Sequence, residues 1–258
     1  MSYPFEIKNI DEKFCMFDCT ADWHVNETGS IFHRIYFIHD GVAVYEDNTQ
    51  KLNLEKGYVY IFPTYKPYSI TQNPDKPLKC LYFHITIAPI ILNQIISFNL
   101  KDNFPAFHLY KAMEYIVVNR NGYKNENILI QEIFHSLLYL ISLKEKFEIL
   151  NDSALEKVTD YIHLNYMEDL TNDYLAGISG YNTSYFIRLF KKTFGITPQK
   201  YLLNYRIIEA IRLIRGNFSV AVASTMVGYC DVKAFCRAFK RIKGVPPSEY
   251  KKSQFMQP

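Results

Sequence analysis

The chain changes its hydrophobic rhythm part-way along. Over residues 1 to 90, Tyr, Phe, Ile and Val come in short runs broken by Gly, Pro and Asn/Asp clusters, a pattern that predicts strands. Arg34-Ile35-Tyr36-Phe37-Ile38 stops at His39-Asp40-Gly41, an Asp-Gly turn signal. Val42-Ala43-Val44-Tyr45 follows, then polar residues to Gln50, the alternating Lys51-Leu52-Asn53-Leu54, and a turn at Lys56-Gly57. Tyr58-Val59-Tyr60-Ile61-Phe62 ends at Pro63, and Lys79-Cys80-Leu81-Tyr82-Phe83-His84-Ile85 completes the set. Strands so closely spaced predict a small antiparallel barrel or sandwich. His33 and His39 are expected at exposed strand ends.

After Pro89 the period becomes helical. One run covers Phe104 to Val117, and a second has apolar positions from Ile128 through Leu143 and on to Phe147, with Gly122 and the polar Asn119 to Asn127 between them. The second helix is apolar on more than one face, which suits burial against the strands and against another subunit. Asn151-Asp152-Ser153 is the expected boundary between domains, short and polar. Beyond it, Leu155, Val158, Ile162 and Tyr166 share one helical face. Thr171 is placed to cap a short helix whose Tyr174, Leu175 and Ile178 point inward. Pro198 opens a long helix to Arg215, and Ser219 caps the helix that follows it.

Two stretches in this second half repeat one pattern about 49 positions apart. Gly180-Tyr181 and Gly228-Tyr229 each lead through a polar turn into Phe-x-Arg-x-Phe-basic-basic, at Phe186 to Lys192 and Phe235 to Arg241. Gly-x-x-Pro-x-x-Tyr then closes each copy, at Gly195 to Tyr201 and Gly244 to Tyr250. The glycines sit where one helix ends and the chain reverses. Asn182 or Thr183, and then Asp231, are placed to accept from the free amides of the next helix. Phe186 with Phe190, and Phe235 with Phe239, are four apart and share a buried face. Ile187, Arg188, Lys191 and Lys192, like Cys236, Arg237, Lys240 and Arg241, rotate away from it. A buried aromatic stripe backed by a basic one suits a helix that anchors in protein and enters a DNA major groove.

Residues 153 to 252 resemble the DNA-binding domain of the AraC/XylS family of bacterial transcription regulators. The resemblance rests on both repeated units and on Pro198-x-x-Tyr201-x4-Arg206-x3-Ala210-x2-Leu213-Ile214 between them. It implies an all-α C-terminal domain with two helix-turn-helix units joined by a long helix. Base-edge contacts are implied for Thr183, Ser184, Ile187 and Arg188 in the first unit, and for Val232, Lys233, Cys236 and Arg237 in the second. Arg188 and Arg237 are the foremost of these, because a guanidinium spans O6 and N7 of guanine. Asn182, Lys191, Lys192, Lys200, Lys240 and Arg241 are expected to hold phosphates. The first half resembles the cupin-like sensing barrel of the same family, through Gly41, Leu54-x-x-Gly57, Ile61-Phe62-Pro63 and Tyr82-Phe83-His84-Ile85. It lacks the His-x-His cluster of metal-bearing cupins, since Thr64-Tyr65-Lys66-Pro67-Tyr68 follows Pro63. No metal, cofactor or catalytic residue is therefore expected.

The organisation read from the sequence is a cupin-like antiparallel β-barrel over 1–90, a helical dimerisation segment over 91–150, and a linker at 151–153. A double helix-turn-helix domain over 154–252 and a tail at 253–258 follow. Charge changes the picture once it is divided: residues 1 to 152 hold 14 Lys/Arg and 18 Asp/Glu, and residues 153 to 258 hold 15 and 8. The net +3 thus conceals a second half at +7, the footprint of a polyanion partner. The five cysteines, Cys15, Cys19, Cys80, Cys230 and Cys236, show no metal-ligand spacing and are expected as reduced, mostly buried thiols. Met1 to Glu6 lacks a signal-peptide pattern, and no segment reaches the ~20 apolar residues that span a bilayer. A soluble, cytoplasmic protein without a membrane partner is the expectation.

Candidates to line a ligand cavity in the barrel are Trp23, His24, Arg34, Tyr36, Tyr45, Tyr60, Tyr65, Tyr68, Tyr82 and His84. Ring faces with a few donors suit a sugar or similar polar metabolite, although each aromatic has an ordinary role as core or strand surface. The expected function is ligand-responsive transcription regulation, with double-stranded DNA and a small-molecule effector as partners. Homodimerisation through the helix around 126–148 is expected, and RNA polymerase as a partner if the protein activates. Two alternatives remain at this point: a barrel that only dimerises, and a cupin-type enzyme with an accessory helical domain.

Overall fold

A computed structural model of the 258-residue chain describes residues 5–10, 15–28, 30, 32–64, 66–88, 90–92, 94–119, 125–145, 147–149 and 152–255. It divides into two compact units, Met1–Asn151 and Asp152–Pro258.

The first unit begins with nine strands: β1 (Glu6–Ile10), β2 (Cys15–Asp18), β3 (His24–Thr28), β4 (His33–Asp40), β5 (Ala43–Glu46), β6 (Lys51–Leu54), β7 (Tyr58–Ile61), β8 (Pro67–Gln72) and β9 (Lys79–Ala88). Then come β10 (Ile90–Ile91), β11 (Ile96–Asn99), α1 (Phe104–Val118), α2 (Glu126–Ser142) and β12 (Glu148–Ile149). One sheet runs β1-β9-β4-β7-β11 with β2 also on β9, and a second runs β3-β8-β5-β6, all antiparallel. The period of two sorts the larger sheet cleanly. Ile35, Phe37, Val59, Ile61, Leu81 and Phe83 face α1 and α2, where they pack with Tyr110, Met113, Phe134 and Leu137. Tyr36, Ile38, Tyr60, Phe62 and Cys80 face the smaller sheet and meet Tyr45, Leu54, Tyr68 and Ile70. Both faces of β4 are therefore covered, which is why the strand reads as a nearly unbroken apolar run.

Several expectations need correction. Among the described residues no strand pairing joins the two sheets, so of the barrel and the sandwich that the strand spacing predicts, the pair of stacked sheets is found and a closed barrel is not. Alternation dictates which face each residue takes, but it carries no information on whether sheet edges meet. The stretch from residue 91 is not wholly helical: Ile96–Asn99 extends the larger sheet against β7. The second helix stops at Ser142 rather than Phe147, and Glu148–Ile149 returns to pair with Ile90–Ile91. These strands are too short for periodicity to separate from helix. His33 is buried, not exposed. His39 is half-buried, with Nε2 2.5 Å from Glu114 Oε1 and the Tyr110 hydroxyl beside it.

The second unit is helical: α3 (Ser153–Asn165), α4 (Asn172–Ser179), α5 (Thr183–Phe194), α6 (Pro198–Arg215), α7 (Val220–Met226), α8 (Val232–Lys243) and α9 (Pro247–Phe255). Its boundaries are set by caps. Asp152, Thr171, Asn182, Thr197, Ser219 and Asp231 each accept from an amide of the first turn. Pro198 occupies the start of α6, as read from the sequence. Asp152 already caps α3, so the short boundary segment is partly helix terminus, and α9 runs past Lys252 into the expected tail. Leu155, Val158 and Ile162 are buried as expected, whereas Tyr174 is half-exposed and hydrogen-bonds through its hydroxyl to that of Tyr161 at 2.7 Å.

Candidate nucleic-acid interface and a buried polar cluster

Each repeated stretch folds as a short helix, a glycine in the left-handed region, and a second helix. Gly180 has φ of 73° and Gly228 of 81°. Asn182 Oδ1 accepts from Tyr185 N at 2.9 Å to start α5, while Asp231 accepts from the amides of Lys233 and Ala234 to start α8. Asn182 rather than Thr183 is thus the cap, and the Thr183 hydroxyl donates instead to Asp173 at 2.6 Å.

Four-residue spacing buries one face of each second helix. Phe186, Phe190 and Phe194 are buried in α5, and Phe190 and Phe194 meet Tyr201 of α6 at 5.5 and 5.6 Å between ring centroids. In α8, Phe235 and Phe239 pack with Ile207, Ala210, Ile211 and Ile214 of the same α6 and with Ala223 and Val227. One helix therefore carries both units. At 1.5 Å per residue its eighteen residues span ~27 Å.

The opposite faces are basic. Ser184, Arg188, Lys191 and Lys192 are exposed on α5, and Val232, Lys233, Arg237, Lys240 and Arg241 on α8. Asn182 and Lys200 are exposed as well. Thr183, Ile187 and Cys236 are half-buried at the flanks, and Cys236 packs against the α8 core. The two arginines have different surroundings. Arg188 lies over the ring of Tyr185 with its guanidinium carbon 5.5 Å from the centroid, while Arg237 lies 4.0 Å from the Asp231 carboxylate. Tyr185 was not among the sequence-derived candidates. The signal was its place three residues before Arg188 on the same outward face.

In the first unit, the aromatic candidates largely fill one another's space. Tyr36, Tyr45, Tyr60 and Tyr68 are buried and cluster around Phe62, with ring centroids 4.9 to 6.4 Å from it. Trp23 and Tyr82 are half-buried beside Tyr36. His24 points outward from β3 and its ring nitrogen meets the Asp22 carbonyl, so it does not line the interior. Tyr65 lies outside the described residues. A polar cluster sits at the edge of this aromatic group. Arg34 donates to Glu27 Oε2 at 2.7 Å and lies 3.2 Å from His84 Nε2, and its guanidinium is 5.3 Å from the Phe32 ring. Glu27 escaped the sequence reading because its inward direction follows only from the β3–β8 register, in which it opposes Tyr68.

Burial works against the charge on Arg34, and Tyr68, Tyr36 and Glu27 around it outweigh that effect and keep it protonated. The Tyr36 hydroxyl is pushed up to about 12, by burial first, with Arg34 opposing. Tyr68 is also raised well above its ordinary value, again by burial first, with Arg34 opposing. Arg34 Nε, the Tyr68 hydroxyl and the Thr64 hydroxyl are buried without a hydrogen-bond partner among the described residues. Such groups are expensive to bury unsatisfied.

Among the described residues no three or more His, Cys, Asp and Glu side chains are grouped to hold a metal ion, and no helix is long and apolar enough to cross a membrane. Cys19 and Cys80 are buried, whereas Cys230 is exposed, and all are free thiols along with Cys236.

Paired helices, with a basic outward face on an aromatic anchor, define a DNA-binding module. Residues 175–253 match the family described as helix-turn-helix domain, and this region is an AraC-type helix-turn-helix, the DNA-binding module of transcription regulators. The chain is 25% identical over 265 residues to the HTH-type transcriptional regulator YisR of Bacillus subtilis, covering 90% of this chain and 89% of that protein. An HTH-type regulator of Staphylococcus aureus is 26% identical over 174 residues, and this chain spans only 23% of its length. The whole-chain fold is similar to that of ToxT from Vibrio cholerae, at a TM-score of 0.70 for an apo variant with 15% identity and 97% of each chain covered. A ToxT form described as bound to unsaturated fatty acid gives 0.68, also at 15% identity, with 97% of this chain and 96% of that one covered.

Proposed function

We propose that this protein is a cytoplasmic, ligand-responsive transcription regulator. Its second unit binds double-stranded DNA through two helix-turn-helix units, α4–α5 and α7–α8. The observation that carries this reading is the duplicated recognition helix, with Arg188 and Arg237 exposed over phenylalanines that anchor in one shared α6. A rod of ~27 Å is compatible with two helices entering major grooves about one turn, ~34 Å, apart. Ser184, Arg188, Val232, Lys233 and Arg237 read base edges, with Thr183, Ile187 and Cys236 at the margins of that contact. Asn182, Lys191, Lys192, Lys200, Lys240 and Arg241 hold phosphates, Asn182 through its backbone end of the helix because its side chain is engaged as the cap.

The first unit senses a small polar molecule at the Arg34–Glu27–His84 cluster, where partnerless buried donors support a guest with oxygen acceptors. A sugar meets that description through its hydroxyls. A carboxylate such as the fatty acid of the ToxT complex meets it through Arg34. Binding shifts the population of DNA-competent states. The exposed apolar residues Phe104, Tyr115 and Val118 of α1, and Ile128, Leu129 and Tyr139 of α2 with Leu143 just beyond it, support homodimerisation through these helices. RNA polymerase is a further partner if the protein activates. A regulator without an effector is the second reading, favoured by the rings that pack the space between the sheets.

Replacing Arg188 by Ala tests the DNA reading: a loss of about 1 to 3 kcal/mol of discrimination at one base position is expected in binding titrations. Unchanged affinity and sequence preference would remove Arg188 from the interface. Calorimetry of the full chain against sugars and carboxylic acids tests the sensing role, and silence across that panel favours the second reading.

A further inference from the structure

The two recognition arginines occupy equivalent positions, yet their neighbours differ. On α5, Arg188 rests over Tyr185, which is exposed at the third position of the helix. Tyr185 in turn meets the Tyr181 ring edge-on at 5.1 Å between centroids. The Tyr181 hydroxyl donates to Asp152 Oδ2 at 3.3 Å, and Oδ1 of the same carboxylate caps α3 through the amides of Ala154 and Leu155. Asp152 is the first residue of the second unit. On α8 the residue 49 positions after Tyr185 is Ala234, and Arg237 has a carboxylate beside it instead of a ring.

We propose that Tyr185 is the positioning residue for Arg188, its ring holding the guanidinium ready for a guanine edge while Tyr181 and Asp152 hold the ring. This rests on the reading that α5 enters the major groove. An arginine side chain has many rotamers, and immobilising it on binding opposes recognition. A guanidinium stacked on an aromatic face has already lost much of that freedom, and it keeps its N–H edge free because stacking uses the faces of both groups. A carboxylate neighbour acts differently. It attracts the guanidinium from 4.0 Å, beyond hydrogen-bond distance, without fixing its orientation, and the attraction is screened by salt. The α4–α5 pair therefore meets DNA with its arginine placed, and the α7–α8 pair with its arginine held only by a screened charge.

The test uses the full-length protein and a duplex it selects from a randomised pool, titrated beside single-base variants of that duplex. Arg188→Ala identifies the base position that Arg188 reads, with a fall in preference there of roughly five- to 150-fold. Tyr185→Leu, which removes the ring, is expected to lower preference at that same position by roughly two- to fivefold and to leave other positions alone. Tyr185→Phe keeps the ring and is expected to retain the wild-type ratio. Tyr181→Phe, which gives up only the bond to Asp152, is expected to fall between them. An unchanged ratio in Tyr185→Leu, where Arg188→Ala does relax the position, overturns the positioning role while leaving the groove reading intact. Equal losses in Tyr185→Leu and Tyr185→Phe also overturn it, since the hydroxyl and not the ring would then matter. If Arg188→Ala relaxes no position, the reading of α5 and this inference fall together.

Discussion

Gly180 and Gly228 hold the same place in the repeat and nearly the same backbone conformation, so replacing each by alanine isolates the effect of surroundings. Both substitutions force an L side chain into the left-handed region, at about 1 to 2 kcal/mol. At Gly180 the added Cβ meets nothing within 4 Å. At Gly228 it would lie 2.3 Å from the Met167 carbonyl oxygen and 2.8 and 2.9 Å from the Met167 carbonyl carbon and Cα, all backbone. Relief requires the loop after α3 to retreat, and Arg206 opposes that. Its Nε donates to the Tyr166 carbonyl at 2.6 Å and its Nη2 to the Glu168 carbonyl at 2.7 Å, one residue to each side of Met167. Forced overpacking adds about 1 to 3 kcal/mol. Gly180→Ala should therefore destabilise by about 1 kcal/mol and Gly228→Ala by about 3 kcal/mol. Urea unfolding of the full chain, followed by a probe in the second unit, reads the difference as a shift in midpoint at constant slope. The double variant Gly228→Ala/Arg206→Ala should lose less than the sum of its single variants, because the freed loop can move. Equal effects at the two glycines, or strict additivity in the double variant, would refute this account of the clamp.

Two further outcomes concern the first unit. Arg34→Met deprives the half-buried Glu27 carboxylate of its guanidinium, and a loss of about 3 kcal/mol is expected, with Arg34→Met/Glu27→Leu recovering much of it; a mild effect in the single variant would mean the pair contributes little. His33 is held neutral by burial, which pushes its imidazole down to about 4, with the Ile85 backbone opposing. Because the folded value lies below the ordinary 6.5, protons favour the unfolded chain in this window. The stability present above pH 6.5 is thus lost as pH falls toward 4, by up to ~3 kcal/mol. His33→Leu should flatten that part of the stability profile, and an unchanged acid slope would contradict the assignment.

The second unit was open to sequence reading because its signals are local. Caps such as Thr171, Asn182, Ser219 and Asp231 act within three residues of themselves, Pro198 marks a helix start by its own ring, and phenylalanines four apart declare a face. The first unit depends on partners far along the chain. Glu27 enters the polar cluster only because β3 pairs with β8 in one register, and His24 leaves it for the same reason. His33 reads as a strand-end histidine until Ile85 is set opposite it. Tyr174 carries a ring that fits a buried stripe, yet its hydroxyl finds Tyr161 at the surface. The arginine environments lie between these cases. Tyr185 is visible as a neighbour three residues away, while the tie from Tyr181 to Asp152 needs the fold.

That α6 is a single uninterrupted helix constrains how such a protein can evolve. Inserting one residue into it would turn the α8 half by about 100° relative to the α5 half, and on the proposed reading the two would no longer address one face of a duplex. On that reading the spacing between recognised sequences is inherited as a fixed ruler. New targets would then be acquired by exchanging side chains on α5 and α8, one letter at a time, while the distance between the words stays the same.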